Sequence, residues 1–322
     1  MAGGLALALS GGGAKGAFQV GVLDELIERR GIDFETVTGT STGAIQAAAV
    51  AQDDVERLLE FWTGLKGNDD IYRGRGGMIW AILTGKNSLY NPDPLRKLLT
   101  DMFDDAKIRA TGKNLRLAVV NITNGELRIV AENADNIAEW VYASSAQPPA
   151  FPPLRTFDSQ GRLEQWVDGG LRDVTPFAAA LHERPRAVLV VRAEAPPSWR
   201  PKEYKSLVDI GFQSVDILTA EVADNDLANV DFINHLLLAE EKQRAELSAL
   251  GLSQADIDRV MQPLHDEIKR YKFVPTMVLQ PPTDLYETLE FVPELIAENI
   301  KRGRRMVRDR WSEIASFLGV AE

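Results

Sequence analysis

Cysteine is absent from the 322 residues. That excludes disulfides, thiolate metal sites and a cysteine nucleophile. Histidine is scarce, with only His182, His235 and His265. Positive charge is in deficit. The chain carries 36 Lys and Arg against 47 Asp and Glu, a net charge of −11. Such a chain is a poor general binder of nucleic acid, because phosphate contacts need clustered Lys and Arg. Long apolar runs are also missing. None reaches the roughly 18 uninterrupted residues of a membrane span. The N-terminal stretch "MAGGLALALSGGG" has no basic lead and only about five apolar residues in a row, short of the roughly 7–15 of a secretory signal. A first buried strand is the better reading. A cytoplasmic location is the simplest expectation, with peripheral membrane contact as its one extension.

What is present is a globular composition, 45% hydrophobic and 26% charged. That suits one large domain or two modest ones. Strand-like and helical patterns alternate through the first two hundred residues. LALAL (5–9), VTGT (37–40), LRLAVVNIT (115–123), ELRIVAE (126–132), LEQWV (163–167), AVLVVRA (187–193) and TMVLQP (276–281) read as strands. Helical patterns cover 16–30 and 44–51. Asn124-Gly125 marks a hairpin. Several strands are apolar throughout, as in a mostly parallel sheet covered on both faces. From residue 201 the pattern is mainly helical, with a break at Gly251 and Ser253 as the next cap. The expected division is a core over 5–192 and a mainly helical region over 193–322 packed on it.

Two further segments allow two readings each. Residues 64–94 mix glycines with Met78, Ile79, Trp80, Ile82 and Leu83. They form either a loop with a short packed helix, or an apolar lid or substrate-channel wall. Residues 301–310 carry six basic residues and one acidic. They read either as a surface helix with solvated charges, which is favoured, or as a contact with an anionic membrane.

The chemistry sits in three motifs. "SGGGAKG" (10–16) lies between a strand and a helix, and Gly11, Gly13 and Gly16 fit G-x-G-x-x-G. A dinucleotide site needs an acidic residue at the end of the second strand. Here that strand ends in Gly39-Thr40-Ser41, while Asp33 and Glu35 precede it. A phosphate loop needs Gly-Lys-Ser/Thr, but Ala17 follows Gly16. What remains is a row of backbone N–H groups able to receive an anion. Gly11, Gly12 and Gly13 are candidate oxyanion donors, with glycine allowing close approach by a substrate. Lys15 either steadies this loop and adds positive potential, or is a solvated side chain.

Gly39-Thr40-Ser41-Thr42-Gly43 fits the nucleophile elbow G-x-S-x-G. Its tight turn needs small flanking residues, which Gly39 and Gly43 supply, and the following helix favours negative charge near Ser41. The plainer reading makes Ser41 a helix cap. A serine nucleophile needs a base. None of the three histidines has a strand-end or Gly-rich setting. Asp168 does, directly after an apolar strand and before Gly169 and Gly170. Its competitor Asp173 is expected to cap the next helix. No His/Asp/Glu cluster has metal-ligand spacing, so no metal and no cofactor are expected.

Together these motifs resemble the patatin-like phospholipase family. SGGGAKG, GTSTG and DGG occur in its order, and "YASSAQPPAFPPL" (142–154) looks like its Pro-rich block. The resemblance covers residues 5–192. It implies a three-layer α/β/α sandwich and hydrolysis of lipid acyl esters through a Ser41–Asp168 dyad, without calcium. The rivals are an α/β-hydrolase with a Ser-His-Asp triad and a lipid-binding protein with a relic site.

Overall fold

The computed structural model describes residues 3–76, 85–198, 203–269 and 271–321, apart from the side chain of Asp226. Strand β1 (Leu5–Leu9) lies at the centre, buried on both faces. Its side chains alternate between two cores. Leu5, Leu7 and Leu9 join the larger hydrophobic cluster, while Ala6 and Ala8 join a smaller one with Phe177, Ala180, Val188 and Val190. That period-two partition puts a helical layer on each face.

The sheet continues through β2 (Thr36–Gly39), β3 (Asn114–Asn121), β4 (Glu126–Ala131), β5 (Leu154–Phe157), β6 (Leu163–Asp168), β7 (Ala187–Val191) and β8 (Thr276–Leu279). The spatial order is β8-β7-β1-β2-β3-β6-β5, and β4 pairs with β3. The pairings β8–β7, β7–β1, β1–β2 and β2–β3 are parallel. Those of β3 with β4, β3 with β6, and β5 with β6 are antiparallel. The architecture is therefore the expected mixed α/β sandwich around a mostly parallel sheet. Strand β5 had no clear sequence signal: three of its four residues are not fully buried. Asn124-Gly125 does lie between β3 and β4, in a turn where the Gly125 N–H donates to the Asn121 carbonyl (2.7 Å).

One sheet detail positions the site. The first half of β3 pairs with β2, running parallel, and Gly39 sits opposite Leu117. Its second half pairs with β6, running the other way, and Asp168 sits opposite Val119. The C-terminal ends of β2 and β6 thus face each other around Ala118.

The helical signal over 16–30 resolves into a 3-10 turn, then α1 (Ala17–Leu23), then a π-helical turn over Asp24–Glu28. Helix α2 (Thr42–Ala51) follows β2 and is entirely buried, as its alanine run allows. The chain continues through α3 (Val55–Gly64), α4 (Asp93–Met102), α5 (Asp105–Ala110), α6 (Ile137–Ser144) and α7 (Phe177–His182). A short ribbon joins Arg73–Gly74 to Tyr90–Asn91. Helix α8 (Leu207–Ala249) is a single 43-residue helix. Gly251, at φ +86°, breaks it from α9 (Gln254–Ile268), which Ser253 caps through the Asp256 N–H.

Several elements after residue 192 join the same core. Strand β8 extends the main sheet. Helix α10 (Pro293–Asp309) crosses α1 at close range. A Cβ on Gly21 would lie 2.0 Å from the Ile300 carbonyl, and one on Gly303 would lie 2.1 Å from that of Phe18. Ile296, Ile300, Val307 and, from α11 (Trp311–Leu318), Ile314 and Leu318 join the larger cluster. The basic stretch 301–310 is tied to the protein. Arg304 bonds Asp24 (2.6 Å), Arg308 bonds Glu25 (2.9 Å), Arg310 bonds Glu313 (2.7 Å) and Arg302 bonds Thr283 (2.9 Å). The apolar stripe packs inward, as the favoured surface-helix reading expects, but four of the six cations have partners within the fold and are not simply solvated as it expects. Among the described residues, no helix is long and apolar enough to cross a membrane.

Candidate active site

Ser41 occupies the sharp turn between β2 and α2 with φ +56° and ψ −125°. A non-glycine residue rarely holds such a backbone, and the strain is typically about 1–3 kcal/mol. The surroundings enforce it. The Ser41 N–H donates to Ser144 Oγ (3.0 Å), which in turn donates to the Ala118 carbonyl (2.7 Å). Ser145 Oγ donates to the Ser41 carbonyl (3.1 Å). Two adjacent serines thus clamp both backbone groups of Ser41. The elbow glycines are required by close approach. A Cβ on Gly39 would lie 2.1 Å from the Gly43 carbonyl, and one on Gly43 would lie 2.3 Å from that of Leu9. Ser41 makes no side-chain cap to α2. Ser41 and Asp168 border the same cleft.

Asp168 ends β6 with only 5% exposure. Its Oδ1 accepts from the Gly170 N–H (2.8 Å), so the Asp-Gly bend is also a local turn device. Gly169 lies where a Cβ would stand 2.3 Å from the Ala118 carbonyl. Burial pushes the Asp168 carboxyl up to about 7, against the opposing pull of the Gly170 N–H and the Ser41 hydroxyl. Asp173 does not cap α7: the residue before that helix is Pro176, with no side-chain cap. The Asp173 carbonyl accepts from the Thr40 hydroxyl instead (2.8 Å).

Gly11, Gly12 and Gly13 face Ser41 and Asp168 across one cleft, which Gly170 also lines. The three glycines are not equivalent. The Gly11 N–H is already given to the Val174 carbonyl (3.0 Å). Among the described residues, the N–H groups of Gly12 and Gly13 have no such acceptor. Of the three candidate N–H groups, the Gly11 one is therefore already committed to the protein's own backbone. The need for glycine also differs from expectation. Gly12 and Gly13 have φ of +149° and +54°. Their Cβ atoms would strike Ala193 (2.6 Å) and the Thr288 carbonyl (2.1 Å), so packing and backbone conformation, rather than substrate approach, demand glycine there. Only at Gly11 would a Cβ crowd Ser41 (3.2 Å). Gly16 packs against Thr42, where a Cβ would meet Oγ1 at 2.4 Å.

Lys15 is neither solvated nor free to add positive potential. Its Nζ lies 2.9 Å from Glu194 and 3.1 Å from Asp284, with the side chain 7% exposed. Burial pulls its pKa down, but the two carboxylates outweigh this and leave it raised. Residues 284–299 complete the cradle. The Thr288 carbonyl accepts the Ala14 N–H (2.7 Å), Tyr286 donates to the Ala14 carbonyl (2.9 Å), and Asn299 donates to that of Lys15 (3.2 Å). No motif singled these out, because the contacts join distant parts of the chain.

Beside Ser41 opens an apolar pocket walled by Ile45, Phe61, Trp62, Leu95, Phe151 and Phe291. Ile71, from the described part of 64–94, also lines it. Met78, Ile79, Trp80, Ile82 and Leu83 lie outside the described residues. His182, His235 and His265 are all exposed, and none borders a pocket containing Ser41. Among the described residues, no group of three His, Asp or Glu could hold a metal.

The sequence profile of the patatin-like phospholipases matches residues 7–181. The chain belongs to that family, a membership that makes it a hydrolase acting on lipid esters. It is 30% identical over 213 residues to the uncharacterized protein YqhO of Bacillus subtilis, covering 60% of this chain and 72% of that one. A cGAMP-activated phospholipase of Vibrio cholerae is 26% identical over 217 residues, 55% of this chain and 56% of its own length. The lysophospholipase NTE1 of Cryptococcus neoformans is 26% identical over 204 residues, 62% of this chain but only 12% of its own.

Proposed function

We propose that the protein is a serine lipid acyl hydrolase working through a Ser41–Asp168 dyad. One observation carries the reading: a hydroxyl on a strained strand-to-helix turn faces a buried carboxyl whose pKa is pushed up to about 7. An ordinary aspartate, near 3.9, is a weak base for an alcohol; one near 7 is matched to neutral pH. Asp168 takes the Ser41 proton as Oγ forms a bond to the acyl carbonyl carbon. The carbonyl π electrons move onto oxygen, where the N–H groups of Gly12 and Gly13 donate to the developing charge. The positive end of α2 adds to this stabilisation. Collapse expels the alcohol, which leaves with the proton from Asp168. Water then loses a proton to Asp168, attacks the acyl-serine and releases the fatty acid, and Ser41 recovers its proton. The apolar pocket is the place for the acyl chain.

The test is fatty-acid release from phospholipids, lysophospholipids and neutral glycerides, together with turnover of p-nitrophenyl butyrate. Wild type should hydrolyse at least one of them, and Ser41→Ala should lose at least about 10⁴-fold in kcat/KM with its fold intact. Residual turnover near the wild-type rate in Ser41→Ala would overturn the proposal. No turnover by the wild type would favour lipid binding without catalysis.

A further inference from the structure

Ser41 and Asp168 follow strands that, among the described residues, do not pair with each other. Strands β2 and β6 both pair with β3, one after the other. The last β2 pair is Gly39 with Leu117, and the first β6 pair is Asp168 with Val119. Ala118 stands at the seam between them, where the pairing changes from parallel to antiparallel. No ladder bond across this seam sets the spacing of Ser41 from Asp168.

Three consecutive residues at the C-terminal end of α6 bridge the seam instead. Ser144 Oγ accepts the Ser41 N–H (3.0 Å) and gives its one proton to the Ala118 carbonyl (2.7 Å). Ser145 Oγ shares its proton between the Ser41 carbonyl (3.1 Å) and the Val141 carbonyl (2.9 Å). The Ala146 carbonyl accepts the Asp168 N–H (3.1 Å). One short segment thus grips the backbone of the serine on both sides and the backbone of the aspartate as well. The segment is itself anchored. The Ser145 N–H donates to the Val141 and Tyr142 carbonyls, and the Ala146 N–H to that of Ala143. The buried Tyr142 ties α6 to the chain beyond it, its hydroxyl donating to the Pro152 carbonyl (2.6 Å).

The two serines are not equivalent. The Ser41 carbonyl also accepts the Ala44 N–H (2.9 Å), so it keeps a partner without Ser145. Among the described residues, Ser144 Oγ is the only acceptor of the Ser41 N–H. Removing it leaves an unpaired donor on a residue held at φ +56°. We propose that Ser144, Ser145 and Ala146 form a positioning bracket that holds Ser41 and Asp168 at reacting distance, with the larger share carried by Ser144. The proposal rests on the Ser41–Asp168 reading above. Positioning of this kind matters to rate, because a displacement of about 1 Å can cost about 100-fold.

The experiment compares wild type with Ser144→Ala, Ser145→Val and Ser145→Thr. Two rates are read: turnover of p-nitrophenyl butyrate, and labelling of Ser41 by a p-nitrophenyl alkylphosphonate, followed by released p-nitrophenolate. Both are measured well below each variant's Tm, so that the folded state alone is read. Valine and threonine have the same shape, and their difference isolates the hydroxyl. Threonine in a helix keeps the bond to the carbonyl four residues earlier, as Ser145 does. Ser144→Ala should lower kcat and the labelling rate by about 30-fold or more, with KM changed by less than about threefold. Ser145→Val should lower both rates by about fivefold, and Ser145→Thr should stand at least about threefold above it. A folded Ser144→Ala with near-wild-type kcat and labelling overturns the proposal. So does a loss that appears in KM with kcat unchanged. If Ser144→Ala fails to fold, the Ser145 pair decides, and equal rates in Ser145→Thr and Ser145→Val overturn the proposal. A wild type that neither hydrolyses the butyrate ester nor takes the phosphonate overturns the Ser41 reading itself.

Discussion

Replacing Asp168 with asparagine removes the proposed base and a desolvated charge together, so the two consequences have opposite signs. Asparagine keeps an oxygen for the Gly170 N–H, now 2.8 Å from Oδ1, and has nearly the same volume. The stability effect follows from linkage. The folded pKa of about 7 lies above the ordinary value of 3.8, so the folded state holds the proton more tightly than the unfolded chain. The neutral carboxyl is therefore the form the fold favours, and stability is lost as pH rises from near 4 through 7. The loss is under about 1 kcal/mol at pH 4 and reaches about 4 kcal/mol above pH 8, where the charge is fully buried. The asparagine side chain never ionises and escapes that cost. Thermal melts of both proteins from pH 4 to 9 should show the variant gaining on wild type as pH rises, by several degrees at pH 8.5. Activity should move the other way. In wild type kcat/KM should climb with pH through about 7 as Asp168 ionises, and the variant should be lower by about 10²–10⁴-fold. A Tm difference that is independent of pH, or near-normal turnover by the variant, would refute the reasoning.

Further outcomes follow from the same geometry. Gly13→Ala puts a Cβ at φ +54°, 2.1 Å from the Thr288 carbonyl. It should cost at least about 2 kcal/mol in denaturant melts and, by displacing an N–H donor, about 100-fold in turnover. Lys15→Met removes the buried cation that bridges Glu194 and Asp284. Breaking a buried pair typically costs about 3–5 kcal/mol, so the urea midpoint should fall markedly at neutral pH. Joint replacement of His182, His235 and His265 by Gln should leave ester turnover within about twofold, because all three are exposed and away from Ser41; abolition of activity would restore the triad.

Where the determinants are local, the sequence was sufficient. Gly39 and Gly43 flank a serine because a strand-to-helix turn this tight leaves no room for side chains. The alternating apolar runs name the main strands because a sheet covered on both faces must bury them. Ser253 and Gly251 punctuate the C-terminal helices by side-chain capping and a positive φ, both properties of single residues. The short ribbon, β5 and the full length of α8 carry weak local signals, and contacts with other elements decide them.

The tertiary structure alone decided the rest. Ser41 and Asp168 meet because β2 and β6, running in opposite directions, share one edge of β3 and end around Ala118, a pairing no single segment encodes. Val174 takes the Gly11 N–H, while among the described residues those of Gly12 and Gly13 have no acceptor. Residues 284–299, with no motif of their own, fold back to hold the glycine loop and turn Lys15 from a surface charge into a buried tie. Burial of Asp168, which lifts its carboxyl to about 7, is a property of everything packed around it. Short-range patterns fix which backbone conformations and side chains are available; which of them meet, and in what dielectric, depends on long-range packing.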